Sequence, residues 1–289
     1  MKKRYVISLL LVMLLTMTSC FKRDSLEDVD IYTTVYPIEF VTDYLYGYNS
    51  RVSSIYPAEV DLDKYALTEK QINKYSKGAI FVYNGLTNEK SIARDLLNSN
   101  NDLKIIDVSQ GLDYVNSTVE LWMNPGDFLM LSYNIKNGLE EYINNNSIIE
   151  EIEKNYESLK VLISTYDAEL EMIPDNTDDK TIVIANSSLN FLSKYGFDVI
   201  DIDTSKAEVS STIKTKVEKL IKAKTLKYIY MLDTDIESDV VKDFVKKGAK
   251  VKILRSMTVK TEEDLKNGVT YKNMMRDNID AIKEEVYSN

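Results

Sequence analysis

Three short stretches bring polar side chains to points where an apolar run gives way to a loop. Val60 to Ile72 (VDLDKYALTEKQI) carries Asp63, Glu120 to Pro125 (ELWMNP) carries Glu120, and Thr181 to Gly196 (TIVIANSSLNFLSKYG) carries Asn186. Together they suggest one cleft assembled from distant parts of the chain. The carboxylates of Asp63 and Glu120 could in principle serve hydrolysis. The rest of an enzyme's equipment is missing from the sequence. It has no histidine for general-base work, its one cysteine is Cys20, and it contains no G-x-S-x-G, P-loop or G-x-G-x-x-G. An enzyme is not expected.

Each of these residues also has a plainer role. Asp63 reads equally as a solvated loop carboxylate. Glu120 adjoins Leu121-Trp122-Met123, so partial burial and a need for a partner are expected. Asn186 follows an apolar strand and suits the N-cap of a helix starting near Ser188. Trp122, the single tryptophan, fits core packing better than ligand stacking. Asp233-Thr234-Asp235 has the look of a cation-binding loop, and an acidic cap before a helix at Asp239 explains it as well. The 20 tyrosines follow a general Lys-, Asn-, Ile- and Tyr-rich bias rather than a carbohydrate-binding surface.

A length of 289 residues allows one large domain or two of ordinary size. A hydrophobic content of 44% is enough for a substantial core. The net charge of −10 disfavours nucleic acid, and no basic stripe interleaved with aromatics offsets it. Lys2, Lys3 and Arg4 precede an apolar run, Val6 to Leu15, too short for a comfortable bilayer span. Met17-Thr18-Ser19-Cys20 resembles a bacterial lipobox, with Met where Leu is usual. On that reading residues 1–19 are a signal peptide and Cys20 becomes a lipidated N-terminus. An ordinary secretory signal with a chance cysteine is the plainer alternative. Lipidation would leave no thiol for a disulfide or a metal. Residues 20–29 then read as a polar tether.

Strand and helix patterns alternate from there. Strands are expected at Asp30–Val35, Arg51–Ile55, Ala79–Tyr83, Leu103–Val108, Thr181–Ala185, Asp198–Ile202, Lys227–Leu232 and Lys250–Leu254. Helical spacing falls between them. Ile148 to Met172 is one long amphipathic helix, which Pro174-Asp175-Asn176 is expected to stop. The pattern predicts an α/β fold of two lobes, each a mainly parallel sheet flanked by helices, joined by one long backbone helix. The lobes would span residues 30–146 and 174–289, with the linker helix at 147–173. Ligands of such sheets sit beyond the carboxyl ends of the strands.

With Tyr36-Pro37 after the first strand, VDLDKYALTEKQI, FVYNG before a helix, ELWMNP, and TYKNMMRDNIDAI near the end, nearly the whole mature chain resembles one family. It is that of the substrate-binding lipoproteins of zinc and manganese ABC transporters. The resemblance implies a metal held between the lobes by histidines and carboxylates, an ABC permease as partner and an extracytoplasmic, lipid-anchored location. The family's ligand positions fall on Asp63, Glu120, Asn186 and about Ser256. Ala185 and Asp233 are the neighbouring alternatives for the last two. All four are substituted relative to the family's pattern.

Those substitutions restrict the ion. Zinc favours imidazole and thiolate, and neither is present. Two carboxylates, an amide and a hydroxyl form a hard-oxygen set suited to Mn²⁺, Ca²⁺ or Mg²⁺. The expectation is therefore a substrate-binding protein of a metal-type importer that takes a cation through oxygen atoms. The alternative is a degenerate paralogue that kept the fold, lost the ion and serves as a surface adhesin, an interaction module or a binder of another small ligand. Because a helix rather than flexible strands joins the lobes, closure should be small.

Overall fold

The computed structural model describes residues 26–62, 64–112, 120–177, 180–205 and 207–286. The first sheet is built from β1 (Asp30–Thr33), β2 (Arg51–Ser54), β3 (Ile80–Tyr83) and β4 (Lys104–Asp107), in the order β2-β1-β3-β4, all parallel. The second repeats that order with β5 (Thr181–Ile184), β6 (Asp198–Asp201), β7 (Tyr228–Leu232) and β8 (Lys250–Leu254), as β6-β5-β7-β8, again all parallel. In both, the first strand has neighbours reached by crossovers in opposite directions. The switch points therefore lie beyond β1 and β3 in one lobe and beyond β5 and β7 in the other. The central strands are apolar on both faces: every residue of β3 is buried, as helices on both sides of a parallel sheet require.

The helices between the strands are α1 (Tyr36–Tyr46), α2 (Glu69–Tyr75), α3 (Glu89–Ser99) and α4 (Pro125–Tyr142) in the first lobe. The second lobe has α6 (Ser211–Ala223), α7 (Asp239–Lys246), α8 (Glu262–Asn267) and α9 (Tyr271–Val286). Local chemistry sets their starts. Thr68 opens α2 with a full capping box to Gln71, and Thr261 opens α8 likewise with Asp264. Ser238, not the acidic pair Asp233 and Asp235, caps α7 by accepting from the Val241 amide, which corrects the cap reading of that pair. Where a helix is expected at Ser188–Lys194, the segment Ser187–Tyr195 is a 3₁₀ helix ended by Gly196 in the left-handed region at φ 94°.

Between the lobes runs α5 (Asn146–Asp175), 30 residues long, or about 45 Å at the usual rise. Ile148, Ile152, Tyr156, Leu159, Ile163, Tyr166, Leu170 and Ile173 form its buried stripe at steps of three and four. The helix ends within the expected Pro174-Asp175-Asn176 stop, with Pro174 inside its last turn and Asn176 as its C-cap. There the proline removes a single hydrogen bond near an end that frays in any case. Asn155 donates to the Leu45 carbonyl of α1 at 3.2 Å. Near the other end Glu169 pairs with Arg276 and with Lys283 of α9, the latter at 3.0 Å. The rod is thus fastened to both lobes. One continuous hydrophobic core includes it together with Ile31, Trp122, Phe128, Ile184, Tyr230 and Tyr271. Two smaller clusters lie under the outer faces of the two sheets.

Candidate functional site

The site begins with a tryptophan that crosses from one lobe to the other. Trp122 lies in a 3₁₀ turn, Leu121–Met123, whose three residues are all buried. Its Nε1–H donates to the Ser256 carbonyl at 2.7 Å, and its own carbonyl accepts from the Tyr271 hydroxyl at 2.7 Å. Both partners belong to the second lobe. A buried indole N–H with a partner of this kind fixes the backbone on either side of it. Glu120, two residues upstream, is therefore delivered to the interface between the lobes.

There Glu120 accepts a hydrogen bond from the Ser188 hydroxyl of the second lobe. Burial pushes the Glu120 carboxyl above the ordinary carboxylate range, and the negative charges of Asp235 and Asp233 add to that; the Ser188 bond opposes it. Ser188 is placed by the cap of the 3₁₀ helix, since its amide donates to Asn186 Oδ1 at 2.8 Å. Asn186 Nδ2 in turn donates to Asp235 Oδ1 at 2.7 Å, while Asp235 Oδ2 accepts from the Leu232 amide at 2.7 Å. Asp233 accepts from the Ser256 amide at 2.9 Å and faces the Arg255 Nε at 3.3 Å. Ser256 is buried, and its hydroxyl oxygen lies 3.5 Å from the Thr258 amide.

Of the four expected positions the structure brings two, Glu120 and Asn186, to one shared serine, and ties Ser256 to the Glu120 segment only through its backbone. Glu120 and Asn186 meet through Ser188. The Ser256 backbone meets Trp122 on one side and Asp233 on the other. Asp63 lies outside the described residues. Ser188 is the participant that sequence reasoning missed; its only signal is its place two residues after a capping asparagine. Asn186 is the N-cap its plainer reading expected, and Trp122 packs in the shared core. Among the described residues no group of three or more His, Cys, Asp or Glu is arranged to hold a metal ion. The polar groups gathered here are the Glu120 carboxyl, the Ser188 hydroxyl and the Asn186 amide, both of whose polar atoms are already hydrogen-bonded.

Comparison with known proteins agrees with this architecture. A family model described as ZnuA, zinc-uptake complex component A, periplasmic, matches residues 31–285. The manganese ABC transporter substrate-binding lipoprotein scaA of Streptococcus gordonii is 25% identical over 313 residues, covering 98% of this chain and 99% of the relative. The zinc-binding protein AdcA of Streptococcus pyogenes serotype M6 is 24% identical over 292 residues, covering 88% of this chain, which spans only 55% of that relative's length. The crystal structure of the Zn(II)-bound ZnuA-like domain of Streptococcus pneumoniae AdcA superposes with a TM-score of 0.72 at 22% identity, covering 90% of this chain and 99% of that one. At that identity it speaks for the fold alone. The family is one of uptake-complex binding components and not of enzymes. With its two four-stranded parallel sheets, its backbone helix and a family match over nearly the whole described length, the chain belongs to the ZnuA family of periplasmic zinc-uptake components.

Proposed function

We propose that this protein is the extracytoplasmic substrate-binding component of a metal-type ABC importer, lipid-anchored at Cys20, and that it takes a divalent cation between its lobes through oxygen atoms. Asp63 and Glu120 would supply charge, and Asn186 and Ser256 neutral oxygens, with waters completing the shell. Mn²⁺, Ca²⁺ or Mg²⁺ suits this set better than Zn²⁺. An ABC permease would receive the ion.

The observation that carries the reading is Glu120: a half-buried carboxyl at the junction of the lobes that accepts from the Ser188 hydroxyl and whose pKa is raised further by the charges of Asp235 and Asp233. A bound cation would compensate that charge. The test is thermal melting of the purified protein in Mn²⁺, Ca²⁺, Mg²⁺, Zn²⁺ and chelator. An ion at 100 times its dissociation constant stabilises by about 2.7 kcal/mol, and the shift should vanish in Glu120→Gln.

A second reading has its own support. Asn186 and Asp235 satisfy each other, and Ser188 already satisfies Glu120. A cleft closed by its own hydrogen bonds fits a paralogue that lost the ion and serves as an adhesin or interaction module. No shift with any cation, in wild type and variant alike, would favour it.

The anchor has a separate test. Cys20→Ser should release the protein from the membrane fraction of the producing cell into the soluble fraction and abolish lipid labelling. Unchanged fractionation would contradict the anchor.

A further inference from the structure

An interlobe cavity lies away from Glu120. It has a volume of about 170 Å³ and is walled by the first turn of α1, the end of β2 and the loop after β8. Two opposite charges line it. Glu39 comes from α1 of the first lobe and Lys260 from the second. Among the described residues neither makes an ion pair. Lys260 Nζ instead stands 4.1 Å from the centroid of the Tyr36 ring, an attraction that holds the ammonium in place without neutralising it. Burial pushes the Glu39 carboxyl above the ordinary range, even though Lys260 and the Ser54 amide act against that.

The loops around the cavity clasp each other. Tyr36 donates its amide to the Thr258 carbonyl at 2.9 Å, and Glu59 donates its amide to the Lys260 carbonyl at 3.0 Å. Glu59 and Met257, one on each side of this clasp, hold φ values of 56° and 62°. Left-handed backbone is costly for such residues and gathers where a surface is held for a ligand.

Size and charge narrow the occupant. At roughly 30 Å³ per water the space corresponds to about five or six waters. That is below the 300 Å³ or so where pockets for drug-sized ligands begin, so the space suits a small molecule. A lone cation would meet Lys260 and a lone anion would meet Glu39. A molecule carrying both charges meets neither objection. At the mouth, Leu265 is 52% exposed and could cover a short apolar side chain.

We infer that this cavity binds a small zwitterion of the α-amino-acid type, its carboxylate on Lys260 and its ammonium on Glu39. The site uses none of the residues assigned to the cation.

The experiment is ligand-observed NMR titration of chelator-treated, full-length mature protein with glycine, alanine and β-alanine. Acetate and methylammonium serve as single-charge halves. At least one zwitterion should bind and both halves should bind far more weakly. Glu39→Gln and Lys260→Met should each weaken binding by about tenfold or more, as expected for losing a charge-assisted hydrogen bond. Melting curves of the free variants establish that they fold. The inference is overturned if none of the three zwitterions binds, if either half binds as well, or if both folded variants bind like wild type. Because metal is absent throughout, failure here leaves the cation reading standing, and failure of the cation reading leaves this one standing.

Discussion

Single side chains carry the sharpest expectations. Glu89, in the first turn of α3, is 5% exposed and accepts from the Asn84 amide at 2.7 Å. Burial pushes its carboxyl up to about 7, and the nearby Asp107 charge adds to that against the bond from the Asn84 amide and the proximity of the Thr34 hydroxyl. The folded state therefore holds this proton more tightly than the unfolded chain. Stability is greatest below about pH 4.5 as far as this group is concerned, and is lost as pH rises through about 7. The shift corresponds to on the order of 3 kcal/mol. Glu89→Gln should abolish that loss and raise stability above pH 7, as read from urea melts at a series of pH values. A variant with the wild-type slope would show that Glu89 is not its source. Glu120 gives a second pH effect. Its carboxyl is raised by burial and must lose its proton to hold a cation. Cation affinity should thus fall on acidification, starting at a higher pH than an ordinary carboxylate would impose. Titrations of the ion at several pH values check this. Glu120 was legible in the sequence because an acid beside Leu-Trp-Met must be carried into the interior. Ser188 was not, because its partner lies 68 residues away and no local spacing announces a contact of that range.

At the scale of elements the sequence was most informative where periodicity was strong. All eight strands fall where alternating or continuous apolar runs placed them, to within a residue or two at each end. The short α8 escaped notice, although Thr261, Asp264 and Gly268 mark its start and stop; six residues show too little periodicity to register. The 3₁₀ character of Ser187–Tyr195 was also hidden, since steps of three and four look alike over two turns. Packing between elements could not be read at all. At Gly138 of α4 an added Cβ would lie 2.7 Å from two carbons of Ile106 on β4, so glycine is what lets this helix rest on the sheet. Gly138→Ala should cost about 1–3 kcal/mol by overpacking, with Ile106→Ala in the same chain recovering part of it. Chemical denaturation of the single and double variants tests the coupling. Strictly additive losses would contradict it.

For the whole molecule, the two lobes of parallel sheet and the backbone helix were foreseeable from alternation, whereas the strand order and the continuity of the core were not. Trp122, Phe128 and Tyr271 tie the lobes through stacked rings and buried hydrogen bonds: the Phe128 and Tyr271 centroids are 4.3 Å apart. Two lobes with one core should melt together. Leu159→Ala, at a fully buried position in the middle of the rod, should cost about 2–5 kcal/mol in a single transition reported alike by calorimetry and by Trp122 fluorescence. Two separated transitions would mean that the lobes are energetically independent. The same continuity leaves little room for wide opening, so capture of a ligand would depend on side chains and loops at the interface more than on swinging lobes.

The most direct measurement is elemental analysis of the dialysed protein beside its Glu120→Gln variant, after both have been equilibrated with Mn²⁺, Ca²⁺, Mg²⁺ and Zn²⁺. The account predicts one oxygen-preferring cation per wild-type chain and none in the variant. Wild-type protein free of metal, or zinc retained equally by both proteins, would contradict it.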